Sequence, residues 1–307
     1  MRLSVLVPTF DRPDSLDRCL KALAGQNRRP DQVLLVVREE DQATLYLAAA
    51  WSQRLPIVLE NATEGGQVSA LNAGLEAADG DVIAITDDDA APRPDWLERI
   101  EQHFQLDEKL GGVGGRDWVH DGSGDADRSV ELVGKIQWFG RLVGNHHLGK
   151  DSPREVDFLK GANMSYRRSA LAGLAFDKRL RGEGAQVCND LAFSLSVQRN
   201  GWKLIYDPAV SVDHYPAPRF DSIGRGQFNS KAAEITAFNR YWAVSTAMRP
   251  GLQRSLARVW LTAVGSSSMP GYLHLIVGLI RLDKNVWRRW MAAQNGREAA
   301  SRQLVTR

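Results

Sequence analysis

Short apolar runs alternate with amphipathic segments from the first residues of the chain to about residue 104. The runs predict buried strands, and the segments between them repeat their apolar residues at helical spacing. Such alternation is typical of a mainly parallel sheet with helices on both faces. The predicted strands are 3–7, 33–37, 57–59 and 82–85, and the predicted helices are one starting near Pro13, then 43–51, 68–78 and 94–104.

The alternation stops after residue 104, and the second half of the chain is less regular. Residues 111–119 predict a glycine-rich strand whose backbone lies close to a ligand or a neighbour. Residues 120–155 are polar and predict a long loop containing some helix. The remaining predictions are an edge strand 161–167, a helix 185–200 ended by Gly201, short strands 203–206 and 209–212, and helices from about Ile223 onward.

Composition favours a globular chain: 43% of the residues are apolar and 25% are charged. The two cysteines have no pairing pattern, which argues against a disulfide framework and fits a reducing cytoplasm. The N-terminus enters a strand pattern without a signal-peptide core. No uncharged apolar run reaches the roughly 18 residues of a membrane-spanning helix. We therefore expect a cytoplasmic protein.

Charge is distributed unevenly along the chain. Residues 249–307 carry a net charge of +8, whereas residues 1–248 carry −6. The acidic body disfavours a nucleic-acid partner. The basic tail contains an apolar run at 273–280 flanked by tryptophans, which would suit peripheral contact with an anionic membrane surface. Helices packed on the rest of the chain, with an exposed basic face, are an equally good interpretation.

Three adjacent acids, Asp87, Asp88 and Asp89, follow the fourth predicted strand. Neighbouring carboxylates repel one another, so a cation is expected beside them. The carboxyl ends of strands line the ligand crevice of open α/β sheets, and carboxylates with phosphate oxygens suit Mg²⁺ or Mn²⁺. The alternative is a solvated turn in which an aspartate caps the next helix.

Other polar residues follow predicted strands or begin helices. Arg12 follows the first strand and could neutralise phosphate, although an ordinary turn before Pro13 is as good an interpretation. Asp41, with Glu39 as its rival, could bind a base or ribose, or Asp41 could cap a helix. Asp190 begins a helix and suits a general base or a plain cap. His214 ends a strand and suits a metal ligand or a backbone-bonded histidine.

In their order, these motifs resemble the family 2 glycosyltransferases, which have the GT-A fold. The resemblance covers about residues 2–215. The matching stretches are 4–12, 70–75, 85–89, 161–168, 189–191 and 201–204 through 212–214.

The resemblance implies an α/β catalytic domain over residues 1–222 and a helical basic extension over 223–307. Residues 1–115 would bind the nucleotide sugar, and residues 116–222 would form the acceptor half. Asp87 and Asp89 look like the D-x-D metal site, which His214 can complete, and Asp190 matches the base that deprotonates the acceptor. The residues implied for the nucleotide-sugar site are Pro8, Thr9, Arg12, Asp41, Asn72, Asp87, Asp88, Gly161, Ala162 and Asn163.

We therefore expect a metal-dependent, inverting transfer of a single sugar from a nucleotide-sugar donor to a sugar, lipid-linked or small-molecule acceptor. The Q-x-x-R-W motif of processive synthases is absent, which favours one transfer per acceptor. Asn189 stands where the family often has Glu, and Glu183 is a rival base. The alternatives are a non-catalytic nucleotide-sugar binding protein and a sugar nucleotidyltransferase, although the G-x-G-x-R loop of the latter is missing.

Overall fold

The computed structural model describes residues 1–121, 129–217 and 228–306. Its first part follows the predicted alternation closely. Helix α1 has Pro at its first position, where the missing amide hydrogen costs nothing. The elements of this part are β1 (Leu3–Pro8), α1 (Pro13–Ala24), β2 (Gln32–Val37), α2 (Gln42–Trp51), β3 (Ile57–Asn61), α3 (Gln67–Ala77), β4 (Val82–Ile85), β5 (Ala90–Pro92) and α4 (Trp96–Leu106).

The second part is more irregular than predicted. The glycine-rich strand is confirmed as β6, but the segment after it has no helix among its described residues, where three short strands lie instead. The two strands predicted at 203–206 and 209–212 are one bulged strand, β11, and the predicted helix at 185–200 is shorter. The elements are β6 (Leu110–Val119), β7 (Lys135–Ile136), β8 (Leu142–Val143), β9 (Arg154–Val156), β10 (Met164–Arg167), α5 (Asn189–Arg199) and β11 (Lys203–His214).

Within the described residues, the central sheet has nine strands in the order β3-β2-β1-β4-β10-β6-β11-β5, with β9 on β11. Strands β3, β2, β1 and β4 pair in parallel, and so do β6 and β11. The predicted edge strand at 161–167 is wrong, because β10 lies inside the sheet, antiparallel to both β4 and β6. The sheet is therefore mixed, and β10 joins its two parallel parts.

Both faces of the sheet are covered. Alternate residues of a strand point to opposite faces. In β1, Val5 and Val7 contribute to one core with α1 and α4, whereas Leu6 contributes to the other with α3 and α5. These apolar strands are buried on both sides, as expected for parallel strands between helical layers.

Helices follow the sheet at the C-terminus. The start predicted at Ile223 lies outside the described residues. Phe238 and Trp242 of the first helix share a core with Leu191 and Phe193 of α5, so this helix packs on α5, which lies on the sheet. No helix in the described ranges has the length and apolar character needed to cross a bilayer. The helices are α6 (Ser230–Ala247), α7 (Leu252–Ala263), α8 (Tyr272–Ile280) and α9 (Val286–Val305).

Candidate active site

Strand directions bring the polar motifs to one edge of the sheet. Strand β4 ends at Ile85, just before the three aspartates, and Ile85 pairs with Met164 at the start of β10. Met164 also pairs with Gly114 of β6. Because β10 runs opposite to both neighbours, the residues preceding Met164 lie beside those that follow Ile85 and Gly114. The segment around Gly161 thus meets the acidic cluster.

Asp88 is the most enclosed member of the cluster, with 3% of its surface exposed. Its carboxylate accepts a hydrogen bond from the Thr9 hydroxyl at 2.9 Å and from the Arg12 guanidinium at 3.2 Å. Burial raises the pKa of Asp88 to about 6, even though the Arg12 charge acts in the opposite direction. Thr9 and Arg12, both predicted for the nucleotide site, are therefore held next to the acids.

Asp89 forms an ion pair with His214, whose Nε2 lies 3.2 Å from the carboxylate. Although burial opposes both effects, the bond to His214 lowers the pKa of Asp89, and the same bond raises the pKa of His214. The other ring nitrogen, Nδ1, is buried without a hydrogen-bond partner among the described residues. The strand-end histidine thus faces an acid rather than only the backbone.

Asp87 is linked through two amide side chains to Asn189, the residue before Asp190. Gln67 donates to Asp87 at 3.3 Å, and Asn189 donates to the carbonyl oxygen of the Gln67 side chain at 3.2 Å. Burial and the charge of Asp89 raise the pKa of Asp87 to about 7. None of the three aspartates caps the next helix, because the N-cap of α4 is Asp95.

Asp190 lies in the first turn of α5, behind the N-cap Cys188. Its carboxylate accepts the amide hydrogens of Gly161 at 3.1 Å and Leu191 at 2.7 Å. Glu183, the rival base, is exposed in the loop before α5.

A pair that sequence reasoning did not single out lies at the same edge: Lys160 donates to Asp117 at 2.7 Å. Asp117 is fully buried, and although burial opposes it, the Asp117 charge raises the pKa of Lys160. Asp117 lies near the carboxyl end of β6, so the rule that ligand sites lie at carboxyl ends of strands could have found it. Lys160 directly precedes the motif at Gly161 and could have been found there.

Other predicted side chains are held by the main chain. Asn72 exchanges two hydrogen bonds with Phe176, and Asp41 caps α2 while accepting the Asp11 amide. Asn163 bonds Trp96 and the Val210 carbonyl in the core. Ala162 is fully buried, and its carbonyl accepts a bond from Thr86. Glu39, the rival of Asp41, is exposed and accepts a hydrogen bond from the Asn61 side chain.

Among the described residues, no group of three or more His, Cys, Asp or Glu side chains is placed to hold a metal ion. The donors at the edge of the sheet are two carboxylates, of Asp87 and Asp89, with the imidazole of His214. Carboxylates that follow a strand can share Mg²⁺ with phosphate oxygens, and a metal at these residues stays a prediction.

The amino-acid sequence is similar to those of known glycosyltransferases. Residues 1–228 match the family described as "Glycosyltransferase like family 2". The glucosyl-dolichyl phosphate glucuronosyltransferase of Haloferax volcanii is 25% identical over 230 residues, which cover 70% of this chain and 69% of the relative. The amylovoran biosynthesis glycosyltransferase AmsE of Erwinia amylovora is 32% identical over 111 residues, 34% of this chain and 42% of that protein.

Solved structures with similar folds are also glycosyltransferases. S. aureus TarS 1–349 in complex with UDP-GlcNAc superposes with a TM-score of 0.64 and 14% identity, covering 95% of this chain and 79% of TarS. The mannosyltransferase PcManGT of Pyrobaculum calidifontis, in complex with GDP-Man and Mn²⁺, superposes with a TM-score of 0.60 and 18% identity. The match covers 98% of this chain and 86% of PcManGT. The expected fold class is confirmed.

Proposed function

Because the chain belongs to glycosyltransferase family 2 and is a sugar-transferring enzyme, we propose that it moves one sugar from a nucleotide-diphosphate sugar to an acceptor hydroxyl with inversion. The observation that carries the proposal is that the acidic cluster and the start of α5 lie together at the same edge of the sheet. Asp89 pairs with His214, and hydrogen bonds run from the neighbouring Asp87 through Gln67 to Asn189, the residue before Asp190.

Asp190 is the proposed base. It lies in the first turn of α5 and accepts hydrogen bonds from two backbone amides. An ionised carboxylate accepts the proton of the acceptor hydroxyl as that oxygen attacks the anomeric carbon. A single direct attack from the face opposite the leaving group inverts the configuration of the sugar.

Asp87 and Asp89, with His214, are the proposed ligands of a divalent cation, Mn²⁺ or Mg²⁺. Burial, and after it the charge of Asp89, raises the pKa of Asp87, and a bound cation would stabilise its carboxylate form. When bound, such a cation neutralises charge that develops on a diphosphate leaving group. Arg12, already beside Asp88, lies where it can add a second positive charge.

The ligands of the similar structures and the name of the Haloferax relative indicate which donors and acceptors to test first. Similar structures hold UDP-GlcNAc or GDP-Man, which makes uridine and guanosine diphosphate sugars the first donors to test. The Haloferax relative is named for a sugar carried on a lipid phosphate. We propose an acceptor of the same chemical class, a sugar or hydroxyl linked to lipid through phosphate.

Peripheral membrane contact through the basic tail, residues 249–307, is part of the proposal. Helix α8 exposes an apolar face, with Ile276 54% and Ile280 76% exposed. The cations Arg281, Lys284 and Arg288 are exposed just beyond it. An apolar face rimmed by cations complements an anionic bilayer surface better than a neutral one.

The experiment has two steps. Thermal shifts with a panel of nucleotide sugars, each with and without Mn²⁺, identify the donor, because ligands that bind the native state raise the melting temperature. Release of nucleoside diphosphate is then measured with and without a lipid-phosphate-linked sugar. We expect release to depend on the acceptor. A donor that binds tightly but is never turned over would instead identify a non-catalytic binding protein.

A further inference from the structure

A cavity of about 540 Å³ lies between the C-terminal helices and the β7–β8 hairpin, apart from the acidic cluster. Volumes of 300–1,000 Å³ are typical of small-molecule sites. Four helices and the hairpin contribute to its wall. The side chains that matter for its chemistry are Arg141, Arg240, Arg297, Tyr241, Trp260 and His274.

The cavity is cationic. Arg297 is 5% exposed and donates to the carbonyl oxygens of Leu261 and Pro270. Within the described ranges, no carboxylate lies within 4.0 Å of Arg141, Arg240 or Arg297, so their charges are not neutralised by ion pairs. Burial lowers the pKa of Arg297 to about 10. Guanidinium groups gathered without acids are suited to phosphate, which they bind in bidentate fashion.

The rest of the wall is apolar and aromatic. Trp260 and Tyr241 line it together with the aliphatic side chains of Leu261 and Val264. His274 belongs to α8. Leu273 and Ile276, which are near His274 on this helix, are exposed and belong to the apolar face described above. A ligand that fits both parts has an anionic head and an apolar tail.

The cavity is coupled to the proposed base through helix α6. The charge of Arg240 opposes the burial that raises the pKa of Cys188, the N-cap of α5, so the Arg240 guanidinium lies close to a residue two positions before Asp190. Its neighbour Asn239 is fully buried and bonds the main chain of Arg181 and Val187 on the loop leading into α5. Arg240 thus lies between the cavity and the helix that carries the base.

We infer that this cavity binds the phosphate group through which the acceptor is attached to its lipid, with Arg141 and Arg240 as ligands. The inference rests on the proposed function and adds to it the site that selects a lipid phosphate. The lipid chain would leave past His274 along the exposed face of α8. Phosphate binding here requires neither donor nor cation.

The test measures binding of octyl phosphate, a soluble lipid phosphate, to the full chain by calorimetry, with octanol and inorganic phosphate as comparison ligands. We expect octyl phosphate to bind more tightly than either. Arg141→Gln and Arg240→Gln should each weaken its binding roughly tenfold or more, since hydrogen bonds to charged groups carry that much affinity. Arg302→Gln, an exposed arginine of α9 outside the cavity, should change it less than about twofold.

Arg141 lies on the exposed hairpin, so its variant tests the site even if Arg240→Gln disturbs the start of α5. Unchanged octyl phosphate binding in Arg141→Gln would overturn the assignment, and equal affinity for inorganic phosphate would overturn the lipid part of it. Donor binding, measured in parallel, should stay within twofold of the unmodified protein. Nucleotide-sugar turnover without octyl phosphate binding would reject this inference while leaving the proposed function standing.

Discussion

Asp190 accepts hydrogen bonds from two backbone amides and is the proposed general base. Asp190→Asn keeps the shape of the side chain but removes its ability to take a proton. We expect turnover to fall by about 10²–10⁴, the usual contribution of a general base. Donor binding, measured by thermal shift, should stay the same.

Glu183→Gln is the matched control, because Glu183 is the rival acid and is exposed. It should retain turnover near that of the unmodified protein. The assignment of the base reverses if Glu183→Gln is inactive and Asp190→Asn is not.

The acidic cluster predicts that the cation and the nucleotide bind together. Mn²⁺ should raise the affinity for nucleoside diphosphate, because its ligands come from both the protein and the diphosphate. Asp89→Asn should remove most of this Mn²⁺ effect while leaving metal-free nucleotide binding similar. Calorimetric titration with and without EDTA measures both quantities.

Asp95→Asn is the control for this prediction, since Asp95 is paired with Arg99 at the start of α4 rather than with His214. It should keep the full Mn²⁺ effect. Nucleotide affinity that is insensitive to Mn²⁺ in the unmodified protein would argue against a metal at these aspartates.

The sequence predicts the positions of the polar residues at this edge because they end or follow buried strands. It does not predict which hydrogen bonds each of them makes. Asp89 and His214 each end or follow a buried strand, and the resemblance named both. Asn72 and Asn163 were assigned by the same resemblance, yet their side chains bond the main chain of Phe176 and Val210. Those partners come from distant segments, and no local pattern indicates them.

At the scale of elements, the main error concerns β10. Its sequence has the length of a strand, but nothing in it specifies its neighbours, because an interior position is decided by antiparallel pairing with β4 and β6. The two predicted strands of β11 were separated at a bulge, where the register with β6 shifts between Asp207 and Val212. Bulges carry no reliable hydrophobic signature.

Gly115 of β6 faces this bulge, and the close approach of the two strands there leaves no room for a side chain. A Cβ on Gly115 would lie 1.6 Å from the carbonyl oxygen of Val210 and 2.5 Å from that of Asp207. Both neighbours are backbone atoms, so the strands themselves must move. Gly115→Ala should destabilise the protein by about 3 kcal/mol, the upper part of the range for overpacking, which thermal melting would detect as a fall of several degrees.

Gly25→Ala is the control at the end of α1, since its nearest heavy atoms lie at 3.6 Å, an ordinary contact. Its melting temperature should be nearly unchanged. Tolerance of alanine at both positions would mean that β6 and β11 do not approach as described.

At the scale of the whole molecule, the C-terminal helices form part of the fold and also provide the surface proposed for membrane contact. Helix α6 shares the core of α5, and Arg297 of α9 bonds carbonyl oxygens around α7 and α8. Removing residues 249–307 would therefore expose α6. Substitutions on the exposed face of α8 test membrane contact without that damage.

Ile276→Glu/Ile280→Glu adds two negative charges to the exposed apolar face of α8. We expect the unmodified protein to float with anionic vesicles, less so with zwitterionic ones, and the double variant to remain unbound, since both apolar insertion and attraction to anionic lipid are lost. Raising the salt concentration should weaken the interaction, because exposed charges are screened over about 10 Å at 0.1 M. The control Tyr46→Glu/Leu106→Glu makes the same charge change at other exposed apolar residues, 76% and 85% exposed, and should float normally. If both double variants lose binding equally, the attraction follows net charge alone, and α8 is not the contact surface.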